Sequence, residues 1–184
     1  MNKLRNSKKH KEQTLGVFDN FPSTIHLVET FSSNLQTKRL QQKIIRNLFE
    51  INGKEYSFEE AANPTIHECK LIFEFGLADA DYFNYIDAEE EKKAQNFLEN
   101  VNLSSIDFFC AIRYYKTTAD KKTPLKFDYY LLRTLFGRGV FEMQISHKKG
   151  PRYLSPEDLS LFIVNKINEV CHDKILEKTT PIDN

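Results

Sequence analysis

The spacing of apolar residues changes several times along the chain, and each change predicts an element. Leu40, Ile44, Leu48 and Ile51 recur at four, four and three residues. That is one face of a helix, predicted over 38–51 with Thr37 as its cap and Lys38, Arg39, Lys43 and Arg46 on its polar side. Asp87 with Glu90 three residues on opens a second helix, 88–101, whose apolar face is Ala94, Phe97, Leu98 and Val101. The best-marked helix begins after Ser155, with Pro156 at its first position and Asp158 completing an acidic capping box. Leu159, Phe162, Ile163, Ile167 and Val170 form its core stripe, and the pattern predicts a run to about residue 174. Between the first two helices, Ser57 and Glu60 have capping-box spacing and predict a single turn that stops before Asn63-Pro64.

Segments rich in β-branched and aromatic residues predict strands at 24–31, 70–75, 106–116, 127–136 and 140–148. Gly76 is read as the end of the second. Gly137-Arg138-Gly139 joins the last two as a tight hairpin. A loop with Asp79, Asp81 and Asn84 precedes the second helix, and the lysine-rich segment 117–126 follows the third strand. The order β-α-(α)-β-α-β-β-β-α fits neither a strictly alternating α/β fold nor an all-β one. It predicts an α+β domain over 15–176, with a mixed to antiparallel sheet of about five strands and three main helices. A helical connection between the first two strands leaves room for a parallel crossover. Residues 1–14 read as a flexible basic arm and 177–184 as a frayed tail.

At 184 residues with 40% apolar and 28% charged side chains, the chain has the balance of one globular domain. No stretch approaches the 18 or so consecutive apolar residues of a membrane span. The basic start is followed by only Leu15, Gly16, Val17 and Phe18 before Asp19, too little for a signal peptide, so a cytoplasmic location is expected. Three cysteines, an odd number, argue against a disulfide framework, and Cys110 within Phe-Phe-Cys-Ala-Ile reads as a buried small hydrophobe.

Formal net charge is zero, yet the charges are segregated. Residues 1–54 carry net +6, 55–91 net −10, and 113–152 net +7. The last segment interleaves Arg113, Lys116, Lys121, Lys122, Lys126, Arg133, Arg138, Lys148, Lys149 and Arg152 with Tyr114, Tyr115, Phe127, Tyr129 and Tyr130. Alternation along a strand puts Phe109, Arg113 and Tyr115 on one face and Phe108, Ile112 and Tyr114 on the other. An open face of this kind stacks bases and neutralises phosphates; helices on both faces would make the same rings core. The loop His147-Lys148-Lys149-Gly150-Pro151-Arg152 leads into the last helix, where Glu157 and Asp158 already occupy the positive end of the dipole.

These features predict a non-catalytic cytosolic protein that contacts RNA or a ribonucleoprotein through Arg39, Lys43, Arg46, Arg113, Tyr115, Lys148, Lys149 and Arg152. The alternative is a protein-protein interaction subunit or self-associating homo-oligomer that docks through acidic 55–91. No catalytic, cofactor or metal residues are predicted. Phosphate loops and nucleophile elbows are missing. Asp79 and Asp81 match a metal-binding pair over two residues only. His67-Glu68-Cys69 and Cys171-His172 are neighbours that point apart. Asp128 and Glu142, an apparent acidic pair, fall about 20 Å apart in either hairpin register at about 3.3 Å per residue.

Overall fold

The computed structural model describes residues 15–62, 66–171 and 174–179. Along these the elements are β1 (Leu27–Ser33), α1 (Thr37–Ile51), β2 (Glu55–Ser57), α2 (Phe58–Ala61), β3 (Cys69–Asp79), β4 (Tyr82–Tyr85), α3 (Ala88–Asn100), β5 (Ser105–Thr118), β6 (Lys121–Pro124), β7 (Asp128–Phe136), β8 (Val140–Lys149), α4 (Pro156–Val170) and β9 (Leu176–Lys178). The architecture is α+β, with nine strands and four helices in place of about five and three.

The strands form one sheet in the order β2-β3-β5-β7-β8-β1-β9, with β4 also on β3 and β6 also on β5. Every named strand pair is antiparallel, so of the mixed and antiparallel sheets left open by the sequence the structure has the antiparallel one, without a parallel crossover among these strands. Five long strands coincide with the apolar segments of the sequence. The four extra ones are three or four residues long and take their conformation from the neighbour they pair with, which leaves little local pattern to read.

Several boundaries move for identifiable reasons. β3 runs straight through Gly76, because a Cβ there would lie 3.1 Å from Phe83 Cβ and 3.3 Å from the Asn84 carbonyl. The glycine marks the close approach of β4 rather than a break. The loops assigned to 79–84 and 117–126 hold the hairpins that form β4 and β6. β1 starts at Leu27 rather than at 24. Gln36, not Thr37, is the α1 N-cap, with no side-chain capping bond. α4 ends at Val170, which is exposed and not part of the core stripe. Leu176 to Ser33 and Glu177 to Ser32 pair β9 with β1, so fraying does not begin at 177; residues 180–184 and the arm 1–14 lie outside the described residues.

The Ser57 capping box, the Asp87 cap and the Ser155 cap form as the sequence predicts. All four helices pack on one face of the sheet. Leu40, Ile44, Ile45 and Leu48 of α1 and Leu159, Phe162, Ile163 and Ile167 of α4 share a buried core with Phe73, Phe75, Phe108, Cys110, Ile112, Phe141 and Ile145 of the strands. Phe162 stacks on Phe73 at 4.6 Å between ring centres.

Candidate nucleic-acid interface

Alternation along the strands sends a second set of side chains to the face without helices. A strap, residues 16–26, crosses one half of that face. It starts where Gly16 donates to the Ala78 carbonyl and the Phe18 N–H donates to Asp107 Oδ2 at 2.9 Å. Arg133 grips Asp107 through two bonds of 2.8 Å and lies 4.2 Å from the centre of the Phe21 ring. Further on, Ser146 Oγ donates to the Thr24 carbonyl, and the His26 N–H donates to the Ile145 carbonyl. Asp107, Leu131 and Ser146 all point to this face and are buried. The residue pattern allowed an open face or one under helices; the fold gives half a face, covered by an extended segment.

The other half is uncovered and aromatic. Phe18 of the strap meets Phe83 at 4.7 Å, Phe83 meets Phe109 at 5.6 Å, Phe109 meets Tyr129 at 5.7 Å, and Tyr129 meets Phe127 at 6.1 Å with planes only 9° apart. The row ends in Phe127, which is 41% exposed. The antiparallel register gathers basic residues at this end of the sheet, because the start of β3, the end of β5, the start of β7 and the end of β8 coincide there. Lys149 is the cross-strand partner of Tyr129, and Lys126 precedes Phe127.

The predicted site residues fare differently. Lys148, Lys149 and Arg152 are exposed, with no acidic partner within ion-pair distance among the described residues. Arg113 is on the predicted face but forms an ion pair with Glu74. Tyr115 lies on the same face under Lys122, whose ammonium is 4.4 Å from the ring centre and which pairs with Glu55. Arg39, Lys43 and Arg46 are on α1, on the opposite side of the sheet, where they line a shallow groove with Gln42, Glu91 and Gln95. Arg46 is bound there to Glu50 at 2.8 Å and Glu91 at 3.7 Å. The eight residues thus form two surfaces and not one. Acidic 55–91 is dispersed over β2, α2, β3, β4 and α3, and Glu55, Glu74 and Glu91 neutralise basic residues of this chain. Phe127 and Phe83 are additions the residue pattern made available; the period-two spacing of Phe127 and Tyr129 was the signal for the first.

The loop after β8 is built around a buried carboxylate. Asp128 Oδ1 accepts the Arg152 N–H at 2.7 Å and faces His147 Nε2 at 3.0 Å; its Oδ2 accepts the Tyr114 hydroxyl at 2.7 Å and the Tyr153 N–H at 2.9 Å. Both oxygens are saturated by protein donors, and the side chain is fully buried. Gly150 makes this wrap possible: its φ is +114°, and any Cβ would collide with the Phe127 carbonyl and Asp128. The Arg152 and Tyr153 N–H groups are therefore taken up by Asp128, the Leu154 N–H by the Tyr114 hydroxyl, and the Asp158 N–H at the start of α4 by Ser155. What the loop offers outward is its three cationic side chains. The hairpin register is Phe136 opposite Phe141, with a bulge at Tyr129/Tyr130. Glu142, remote from Asp128, accepts from Gln144 at 2.7 Å.

No family model matches the chain, and neither the curated proteins nor the solved structures contain a significant match.

Proposed function

We propose that the chain is a non-catalytic, cytosolic protein that binds single-stranded RNA, alone or within a ribonucleoprotein, on the uncovered half of its second sheet face. The observation that carries this reading is the row Phe83–Phe109–Tyr129–Phe127, whose exposed end is bordered by Lys126 and Lys149. Bases would stack on Phe127 and the accessible edge of Tyr129, each stacked base being worth about 1–3 kcal/mol. Lys126, Lys148, Lys149 and Arg152 would take the phosphates. Tyr115 extends the surface, and Arg113, held by Glu74, serves as a flat neighbour more than as a free charge. Arg39, Lys43 and Arg46 face away from this strand and have no part in holding it.

Fluorescence anisotropy with labelled oligouridylate, at several salt concentrations, tests the reading. Lys148→Ala/Lys149→Ala/Arg152→Ala is expected to weaken binding and to flatten the slope of log affinity against log salt by about 0.7 for each phosphate that is no longer neutralised. Phe127→Ala should weaken binding with little change in slope. Absence of binding at low salt, or an unchanged slope in the folded triple variant, sinks the proposal.

A further inference from the structure

His26 fastens the end of the strap to β8 through its side chain. Its Nδ1 accepts the backbone N–H of His147 at 3.0 Å, and an imidazole nitrogen that accepts carries no proton. His147 in turn directs Nε2 at Asp128, an acceptor-only carboxylate, so Nε2 is the donor of that bond. The geometry therefore requires a neutral His26 with its single proton on Nε2. Adding a proton to Nδ1 turns an acceptor into a donor facing a donor, and the bond becomes a repulsion.

The groups around His26 do nothing to welcome that charge. Arg152 comes from the loop before α4, and His147 from β8 with its ring centre 6.3 Å away. From β7 come Tyr130, packed on His147, and Asp128, whose oxygens are already taken by four donors. Burial first, then Arg152 and His147, hold His26 below its usual value.

We propose that residues 22–26 are a pH-sensitive latch, closed on β8 while His26 is neutral and released when His26 takes a proton. Release removes the Thr24 carbonyl from buried Ser146. The other end of the strap contains no histidine and stays pinned by Asp107, Arg133 and Phe21, so the latch opens at one end. This switch goes beyond the nucleic-acid reading and does not depend on it.

The test is a nitrogen–proton NMR titration of the full chain from about pH 7.5 to about pH 5, across the ordinary histidine range. The expected result is that the His147, Thr24 and Ile25 amides move together with the His26 ring, at a midpoint below 6.5. Protection of the His147 amide should fall by about tenfold for each unit by which His26 lies below its usual value. His26→Asn, whose side-chain oxygen is bonded to Cγ as Nδ1 is and can accept the same N–H without titrating, should stay latched throughout. His26→Phe should resemble the released state at every pH. Stationary strap amides while His26 titrates, or a His26→Asn chain that opens like the natural one, would overturn the proposal; if His26→Phe fails to fold, the asparagine variant still decides.

Discussion

Tyr114 Oη stands between Asp128 and Leu154: it donates to Asp128 Oδ2 at 2.7 Å and accepts the Leu154 N–H at 3.0 Å. One hydroxyl thus ties β5, β7 and the turn into α4. Burial, and then the charge of Asp128, push the phenol far above its ordinary range, so it remains a donor at any physiological pH. Tyr114→Phe should cost about 1–3 kcal/mol in a urea melt, since it strands one donor and one carboxylate lone pair in the core. Asp128→Ala should cost more, about 3–5 kcal/mol, because Tyr114, His147, Arg152 and Tyr153 all lose their acceptor at once. Equal, small losses for the two variants would mean that water replaces the carboxylate without penalty.

Asn52 fills a gap in the sheet with its side chain. β2 covers Lys70–Ile72 of β3 and β4 covers Gly76–Asp79, leaving the edge between them without a strand partner, where the Gly53 N–H reaches the Phe73 carbonyl and the Ile86 N–H the Phe75 carbonyl. Asn52 Oδ1 accepts the Phe75 N–H at 2.6 Å, and its Nδ2 donates to the Phe75 and Ile86 carbonyls. Asn52→Asp keeps the acceptor but sets a charge against two carbonyl oxygens. It should destabilise by at least as much as Asn52→Ala, about 1–3 kcal/mol, and amide exchange at Phe75 should accelerate in both.

The last helix allows a direct ranking of cap, core and surface. Ser155 Oγ accepts the Asp158 N–H at 3.1 Å, and Ser155→Ala should cost about 0.5–2 kcal/mol. Ile163 is buried against the sheet, and Ile163→Ala should cost about 2–5 kcal/mol. Lys148→Ala, on an exposed and unpaired side chain, should leave the urea midpoint almost unchanged. A large loss there would make the basic loop structural and remove the main support for phosphate binding.

The three thiols should differ sharply toward an alkylating reagent. Burial and the nearby Asp128 charge raise Cys110, and burial raises Cys69, so both are poor in thiolate as well as inaccessible. Cys171 is partly exposed at the end of α4. Mass spectrometry of the native protein after brief iodoacetamide treatment should find Cys171 modified, with Cys69 and Cys110 labelled only after unfolding. Early labelling of Cys110 would contradict the packing between the sheet and its helices.

What the residue order determined by itself is local. Apolar spacing at Leu40, Ile44, Leu48 and Ile51 specifies a helix face without reference to its partner, and Ser57, Asp87 and Ser155 cap their helices through bonds three residues long. The β7–β8 hairpin is equally local in its existence, since Gly137-Arg138-Gly139 joins two adjacent strands, though the sequence leaves its register, Phe136 opposite Phe141, between two choices. Only the tertiary structure decided the rest. β2, β4, β6 and β9 are too short to show a period, and their conformation comes from ladders with β3, β5 and β1. The sequence reading assigns the basic residues of α1 and of the β5–β8 segment to one partner, yet the sheet separates them, because charge along a sequence carries no information about which side of a layer it will occupy. In the sequence Asp128 reads as half of an apparent acidic pair with Glu142. It is buried because Tyr114, His147, Arg152 and Tyr153, drawn from three other segments, supply four hydrogen bonds that no local pattern encodes.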